Sequence, residues 1–419
     1  HILDHINNVL SEYAALKNIH SVKGLFNETY LIAKGNAFSA YGFMSLLLKR
    51  SQAFIFGDRP ASNLFKNIDI MDVIDTDKGI WTQGRFTWLL STLYNEVDQN
   101  SEWLDLAKHG IQFIRNFGFD DDGRMFFSVA QNGEPLRKRR YMFSEAFAVT
   151  ALASYAKASG ESQAKDEAIN LFGAMQKYLR EPGFLPPKLI PKTRSMKGLA
   201  VPMIMIVTAQ TLREIMDEPD YCNKIIDQSI NEIKNDFLKE EFEAVLESVT
   251  TEGGFLNNFD GRLLCPGHAI EAAWFILQES IYRDNDENLK TLGLKILEWM
   301  LDWGWDKQYG GILYYRDVKN LPIQEYWQDM KFWWPHNETI LATLLAHLLT
   351  GESRYETMHR QVHDWAFSRF PDAEHGEWYG YLHRDGRVSV SLKGNLWKGP
   401  FHLPRMQLYG WQWLAAKNI

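Results

Sequence analysis

The chain has 419 residues, enough for a large core, with hydrophobic residues at 45% and charged residues at 23%, the balance of a soluble globular protein. Its net charge of −8 argues against binding nucleic acid or an anionic membrane, since both need a basic surface. Two cysteines, Cys222 and Cys265, exclude a disulfide framework and point to a reducing compartment, so a cytoplasmic location is expected.

The longest apolar run, "LAVPMIMIV" at 199–207, is too short to span a bilayer. The first residues lack the charged-then-apolar pattern of an export signal. In chain order, apolar residues recur at helical spacing over 102–117, 143–159, 163–179 and 289–303. Stretches rich in Gly, Asp and aromatics lie between such segments, at 118–129, 251–264, 303–317 and 375–394. The last of these alternates around an Asp-Gly turn and predicts a hairpin.

Six helices open with polar residues and then turn strongly apolar: "WTQGRFTWLLSTLY", "RRYMFSEAFAVTAL", "LAVPMIMIVTAQTL", "CPGHAIEAAWFILQ", "WWPHNETILATLLA" and "GPFHLPRMQLYGWQWL". One landmark in each (Arg85, Glu145, Met203, His268, His336 and His402) gives gaps of 60, 58, 65, 68 and 66 residues. A near-constant period of this length means internal repetition, each unit having room for two helices and a loop. The uniformly apolar helices are the buried ones. The expected fold is all-α, a single (α/α)6 barrel over 1–419 with six inner and six outer helices. Short β-hairpin loops are expected at its mouth. An open solenoid of helix pairs is the alternative, disfavoured because the last repeat is not a polar cap.

In such a barrel every inner helix starts at the same end. Arg85, Glu145, His268, Glu271, His336, Glu338, His402 and Arg405 are therefore expected to share one pocket floor. His268 and Glu271 are i, i+3 and share a helix face. A helix N-terminus disfavours imidazolium, so a neutral His268 acting as base, with Glu271 fixing its tautomer, is the expected arrangement. The bland alternative is a polar helix start. For His402 it is a satisfied histidine beneath a loop. His336 and Glu338 are i, i+2 and face different ways. Arg85 and Arg405 suit hydroxyl or oxyanion binding, or else a buried ion pair with Glu145 or Glu271. H-x-x-E plus another histidine can ligate zinc or iron. Neither H-E-x-x-H nor C-x-x-C occurs, however, and no metal is expected; the common phosphate loops are absent too.

The segments "DTDKGIWTQGRFTW", "RRYMFSEAFAV", "LAVPM", "PGHAIEAAWFIL", "KFWWPHNETI" and "EWYGYLHRDGRVSVSLKGNLWKGPFHLPR" together resemble the N-acylglucosamine 2-epimerase family over roughly 72–417. The resemblance implies an (α/α)6 barrel that epimerises or isomerises aldoses at C2. It assigns the acid/base pair to His268 and His402, an accompanying carboxylate to Glu271 and the Q-G-R arginine to Arg85. Glu145, Trp334, His336, Glu338, Trp397 and Arg405 are then the expected sugar-binding residues, with Trp333 and Phe401 as further walls. The third repeat reads "SMKGLAVPMIM", without the Asn and His of the cellobiose and mannose branches. This favours interconversion of N-acetyl-D-glucosamine and N-acetyl-D-mannosamine through an enediolate.

The alternatives are another aldose C2 epimerase or aldose–ketose isomerase of mannose or cellobiose type, a glycoside hydrolase using Glu271 and Glu338, or a non-catalytic sugar-binding protein. No cofactor is required by this chemistry. The resemblance admits ATP as an activator that is not consumed, and a homodimer. Residues 20–70 match none of the family pattern.

Overall fold

The computed structural model describes residues 75–415, apart from 182, 188 and 373–376. The divergent 20–70 segment lies outside the described residues. Eleven helices follow one another among those described. They are α1 (Ile80–Glu96), α2 (Ser101–Phe117), α3 (Phe143–Ser159), α4 (Ser162–Arg180), α5 (Ala200–Arg213) and α6 (Asp220–Glu232). Then come α7 (Pro266–Tyr282), α8 (Glu287–Gly304), α9 (Trp333–Thr350), α10 (Ser353–Phe367) and α11 (His402–Ala415). The odd-numbered helices are the six openings of the repeat. Each from α1 to α9 packs on the next odd-numbered helix and on its own even-numbered partner. The expected sixth outer helix lies outside the described residues.

Burial separates the two rings. In α9 every residue from Trp333 to Ala346 is buried, and in α3 every one from Ser144 to Ala156. A helix apolar on all sides belongs in an interior. In α2, by contrast, only Trp103, Leu106, Ala107, Gly110, Ile111 and Ile114 are buried, a single stripe at i, i+3, i+4, i+7 spacing. Asn100 caps α2 by accepting the Glu102 N–H at 2.8 Å, and Asp286 caps α8 through the N–H groups of Asn288 and Leu289. The inner ring closes where Trp88 of α1 meets Phe401 and Tyr409 at ring separations of 5.3 and 6.3 Å. Closure removes the open ends that a solenoid would have to cap.

Short antiparallel strands prepare the inner helices. β1 (Lys78–Gly79) and β10 (Lys331–Phe332) each end one residue before an inner helix begins. β4 (Met196–Gly198) and β8 (Leu263–Leu264) end one residue earlier still. β1 extends the hairpin of β2 (Phe126–Val129) and β3 (Pro135–Lys138). β10 extends that of β11 (Tyr381–Leu382) and β12 (Val388–Val390), which turns at the expected Asp-Gly. β4 pairs with β7 (Ser248–Thr250), and β8 with β9 (Arg316–Asp317). β5 (Leu238–Lys239) pairs with β6 (Ala244–Val245). These ladders fix where α1, α5, α7 and α9 start, and so which side chains their first turns show to the mouth. No helix among the described residues is long and apolar enough to cross a membrane.

α1 and α3 meet closely at Gly84, where an added Cβ would lie 2.6 Å from the Phe147 carbonyl oxygen. Alanine favours a helix interior over glycine by about 1 kcal/mol. Overpacking against main chain costs roughly 1–3 kcal/mol, and here it wins. Gly84→Ala is expected to lower the thermal midpoint; a raised midpoint would show that α1 and α3 do not approach this closely.

Candidate active site

The first turn of α7 carries Pro266, which suits a position where no N–H is needed, then Gly267 and His268. A Cβ on Gly267 would lie 2.7 Å from the Trp334 ring, so glycine is what lets α7 and α9 bring these two residues together. His268 directs Nδ1 at Glu247, 3.0 and 3.1 Å from its two oxygens. Glu247 sits between β6 and β7. Its N–H donates to the Leu263 carbonyl and its own carbonyl accepts the Leu199 N–H, both at 3.0 Å. The Glu247 main chain is thus fixed at the starts of two inner helices, which places its carboxylate against His268. Burial disfavours a charged His268, but Cys265 and Glu247 outweigh this, and its pKa stands well above the ordinary histidine value.

His402 opens α11, buried, with Nδ1 2.6 Å from Glu338. Glu338 is fully buried on α9 and also accepts the Trp274 indole N–H at 2.8 Å. Arg405, one turn beyond His402, reaches Glu338 at 2.7 Å and Glu271 at 2.6 Å. Burial and the neighbouring guanidinium groups push the His402 pKa well below the ordinary value, against the pull of Glu271. A carboxylate only accepts, so each histidine carries its proton on Nδ1 and leaves Nε2 for chemistry. The two histidines are driven in opposite directions: His268 holds a proton at neutral pH and His402 is free to take one.

Trp334 joins them, its ring 5.0 Å from His268 and 5.8 Å from His402. Arg85 lies against the rings of Phe147 at 4.2 Å, Phe401 at 4.8 Å and Trp81 at 5.9 Å. Among the described residues it makes no ion pair, and its buried Nε has no partner. Burial pulls its pKa down to about 10, so it remains a cation at neutral pH. Trp397 stands 43% exposed at the rim, packed on Trp81 and Phe127. A separate cleft of about 390 Å³, between the loop after α8 and Arg384, is lined by neither histidine.

Of the expected floor residues, the structure gathers Arg85, His268, Glu271, Glu338, His402 and Arg405. Four expectations are corrected. Glu271 does not orient His268; it is engaged by Arg405, and Glu247 holds the imidazole. Glu145 does not face the floor as a free carboxylate. It binds Arg124 at 2.6 Å and the Met125 N–H at 3.1 Å, tying the β2 loop to α3. His336 has both nitrogens spent, Nε2 accepting the Ile312 N–H at 2.9 Å and Nδ1 donating to the Phe332 carbonyl at 2.7 Å. Its burial lowers its pKa to about 3. A neutral His268 was expected from its helix terminus, but a carboxylate in contact outweighs a helix dipole. Glu247, Trp81 and Phe147 were not foreseen.

The family model described as N-acylglucosamine 2-epimerase matches residues 65–402. The N-acylglucosamine 2-epimerase of Bos taurus is 33% identical over 347 residues, 80% of each chain. The cellobiose 2-epimerase of Dictyoglomus turgidum is 24% identical over 79% of this chain and 86% of its own. Among solved structures, a D-mannose isomerase superposes with a TM-score of 0.72 at 18% identity, covering 90% of this chain and 99% of its own, which supports the (α/α)6 barrel. The chain belongs to the N-acylglucosamine 2-epimerase family.

Proposed function

We propose that this protein interconverts N-acetyl-D-glucosamine and N-acetyl-D-mannosamine by moving one proton off and one proton onto C2. The observation that carries this reading is the pair of histidines, each held through Nδ1 by its own carboxylate and poised in opposite protonation states. Two titratable groups pushed apart by their surroundings are an acid and a base. The names of the relatives supply the sugar; the site supplies the reaction.

The C2–H bond is acidic only when C1 is an open-chain aldehyde, so the pyranose is opened or captured open. His402, neutral, takes the C2 proton on Nε2. The electron pair moves into a C1–C2 enediolate, with negative charge on the C1 oxygen. His268, protonated, returns a proton from Nε2 to the other face of C2, and the carbonyl reforms. The two histidines then hold exchanged protonation states, which is the starting point for the reverse direction.

Arg85 is the donor suited to the enediolate oxygen, because Arg405 is already committed to Glu271 and Glu338. A preorganised donor in a site shielded from water contributes several kcal/mol. The stacked Trp334, with Phe147, Phe401 and Trp397, offers apolar faces for a sugar ring. A hydrolase would need two carboxylates flanking a scissile bond. Here Glu271 and Glu338 share one buried arginine instead, so hydrolysis has no support in this arrangement.

The deciding experiment is incubation with N-acetyl-D-glucosamine in D2O, with and without ATP, followed by proton NMR. Loss of the C2 proton with appearance of N-acetyl-D-mannosamine is expected. Exchange only with mannose or cellobiose, or formation of a ketose, would replace the acylhexosamine reading. His402→Asn and His268→Asn should each reduce turnover by at least about 10²–10⁴-fold, the usual contribution of a positioned acid or base.

The pH profile provides a second check. Activity needs His402 deprotonated, so it falls as pH drops through a pKa well below 6.5. It also needs His268 protonated, so it falls as pH rises through a pKa well above 6.5. The expected profile is a broad plateau across neutrality. Glu247→Gln removes one of the two partners, with Cys265, that hold His268 up. It should draw the alkaline limb of kcat/KM down toward neutrality and leave the acid limb in place; an unmoved alkaline limb would refute the assignment of Glu247.

A further inference from the structure

One side chain at the mouth, that of Cys265, is not used by the proton transfer. Cys265, the N-cap residue of α7, is buried, and burial pushes its thiol pKa up, so it plays no part as a base at neutral pH. Cys265 and His268 stand i, i+3 at the helix start, a spacing that puts two side chains on one face. The ligating atoms of Cys265, His268 and Glu247 all lie within 4.8 Å of one another.

We infer that Cys265, His268 and Glu247 form a binding site for a thiophilic divalent cation such as Zn2+, and that occupancy of this site inhibits the enzyme. Sulfur, imidazole and carboxylate are the donor types that zinc takes, and three protein ligands with a water complete its tetrahedron. With bonds of about 2.0–2.3 Å, neighbouring ligands in such a site stand roughly 3.5 Å apart. A rotation of the Glu247 side chain, whose only side-chain partner among the described residues is His268, accomplishes the contraction. The site also has access: the His268 side chain is 26% exposed and that of Glu247 is 18% exposed.

A second cluster of donors, Glu271, Glu338 and His402, is equally compact. It already holds a cation, because the buried Arg405 guanidinium bonds both carboxylates. A metal there would have to expel a buried arginine, whereas at Cys265 it displaces only the thiol and Nδ1 protons, which leave to solvent. The consequence for catalysis is direct. A metal on Nδ1 takes the place of Glu247 and removes the proton balance on which His268 acts. The ion is therefore an inhibitor and has no part in turnover.

The test is metal binding by the full chain, read independently of any sugar. Equilibrium dialysis with ZnCl2 at neutral pH should show one equivalent bound per chain. Titration with CoCl2 should give the near-ultraviolet thiolate-to-cobalt charge-transfer band and the visible spectrum of a tetrahedral ion. Cys265→Ser places a good N-cap residue at the same position. It should abolish the charge-transfer band and weaken zinc at least tenfold, while Cys222→Ala, which changes the other thiol, should keep both.

Wild-type protein that binds no zinc overturns the inference, as does Cys265→Ser protein that binds it unchanged. So does transfer of the effect to Cys222→Ala. In turnover assays, zinc should inhibit the wild type and a chelator should restore it. The Cys265→Ser enzyme, compared with its own metal-free rate, should resist the same concentration. Because dialysis and cobalt spectra need no substrate, a wrong sugar assignment and a wrong metal site give different results.

Discussion

The buried contact between Arg405 and its two carboxylates sets the terms for everything else at the mouth. Glu271, Glu338 and Arg405 come from α7, α9 and α11, three successive inner helices. A lone carboxylate in this interior would be costly, and so would a lone guanidinium. Together they neutralise each other. Glu338 then has one oxygen left to receive the His402 Nδ1–H, while the Trp274 indole shares the other with Arg405. The catalytic imidazole is oriented by a carboxylate that is itself anchored from two sides. The ion pair therefore determines which nitrogen of His402 faces the sugar.

The same network explains why the two histidines differ. His402 lies deep, near Arg405 and Arg85, where two guanidinium charges oppose a third positive charge. His268 lies nearer to solvent, against Glu247, with no arginine in ion-pair contact among the described residues. Depth and the sign of the nearest charge do the sorting. The fold produces the difference by building one histidine from the start of α7 beside a strand loop, and the other from the start of α11 beside α9. The repeated architecture offers equivalent positions, and the local partner of each position decides its chemistry.

The barrel was legible because its signals are local and repeated. Helical spacing in 143–159 and 289–303, and the period between Arg85 and His402, need no knowledge of partners. The gathering of Arg85, His268 and His402 followed from one premise, that all inner helices start at one end. Partners across the fold were not legible. Glu247 lies in a few residues of extended chain, "AVLESV", with no helical phase to announce which way it points. His336 and Glu145 occupy repeat positions like those of the active residues. Their nitrogens and oxygens nevertheless close on Ile312, Phe332, Arg124 and Met125, contacts made by loops whose course no periodicity encodes. For the same reason the protonation state of His268 was misjudged: the helix terminus is visible in sequence and the facing carboxylate is not.

The contact of Gly267 with the Trp334 ring has a consequence for how such a site diversifies. The gap between the aromatic plate and the α7 main chain is already closed to a single methyl group. The plate cannot be lowered, raised or replaced by a bulkier surface without moving a helix that also carries His268 and Glu271. Variation in the sugars accepted by barrels built this way is therefore channelled outward, to hairpin residues such as Trp397, which change without disturbing the proton-transfer core.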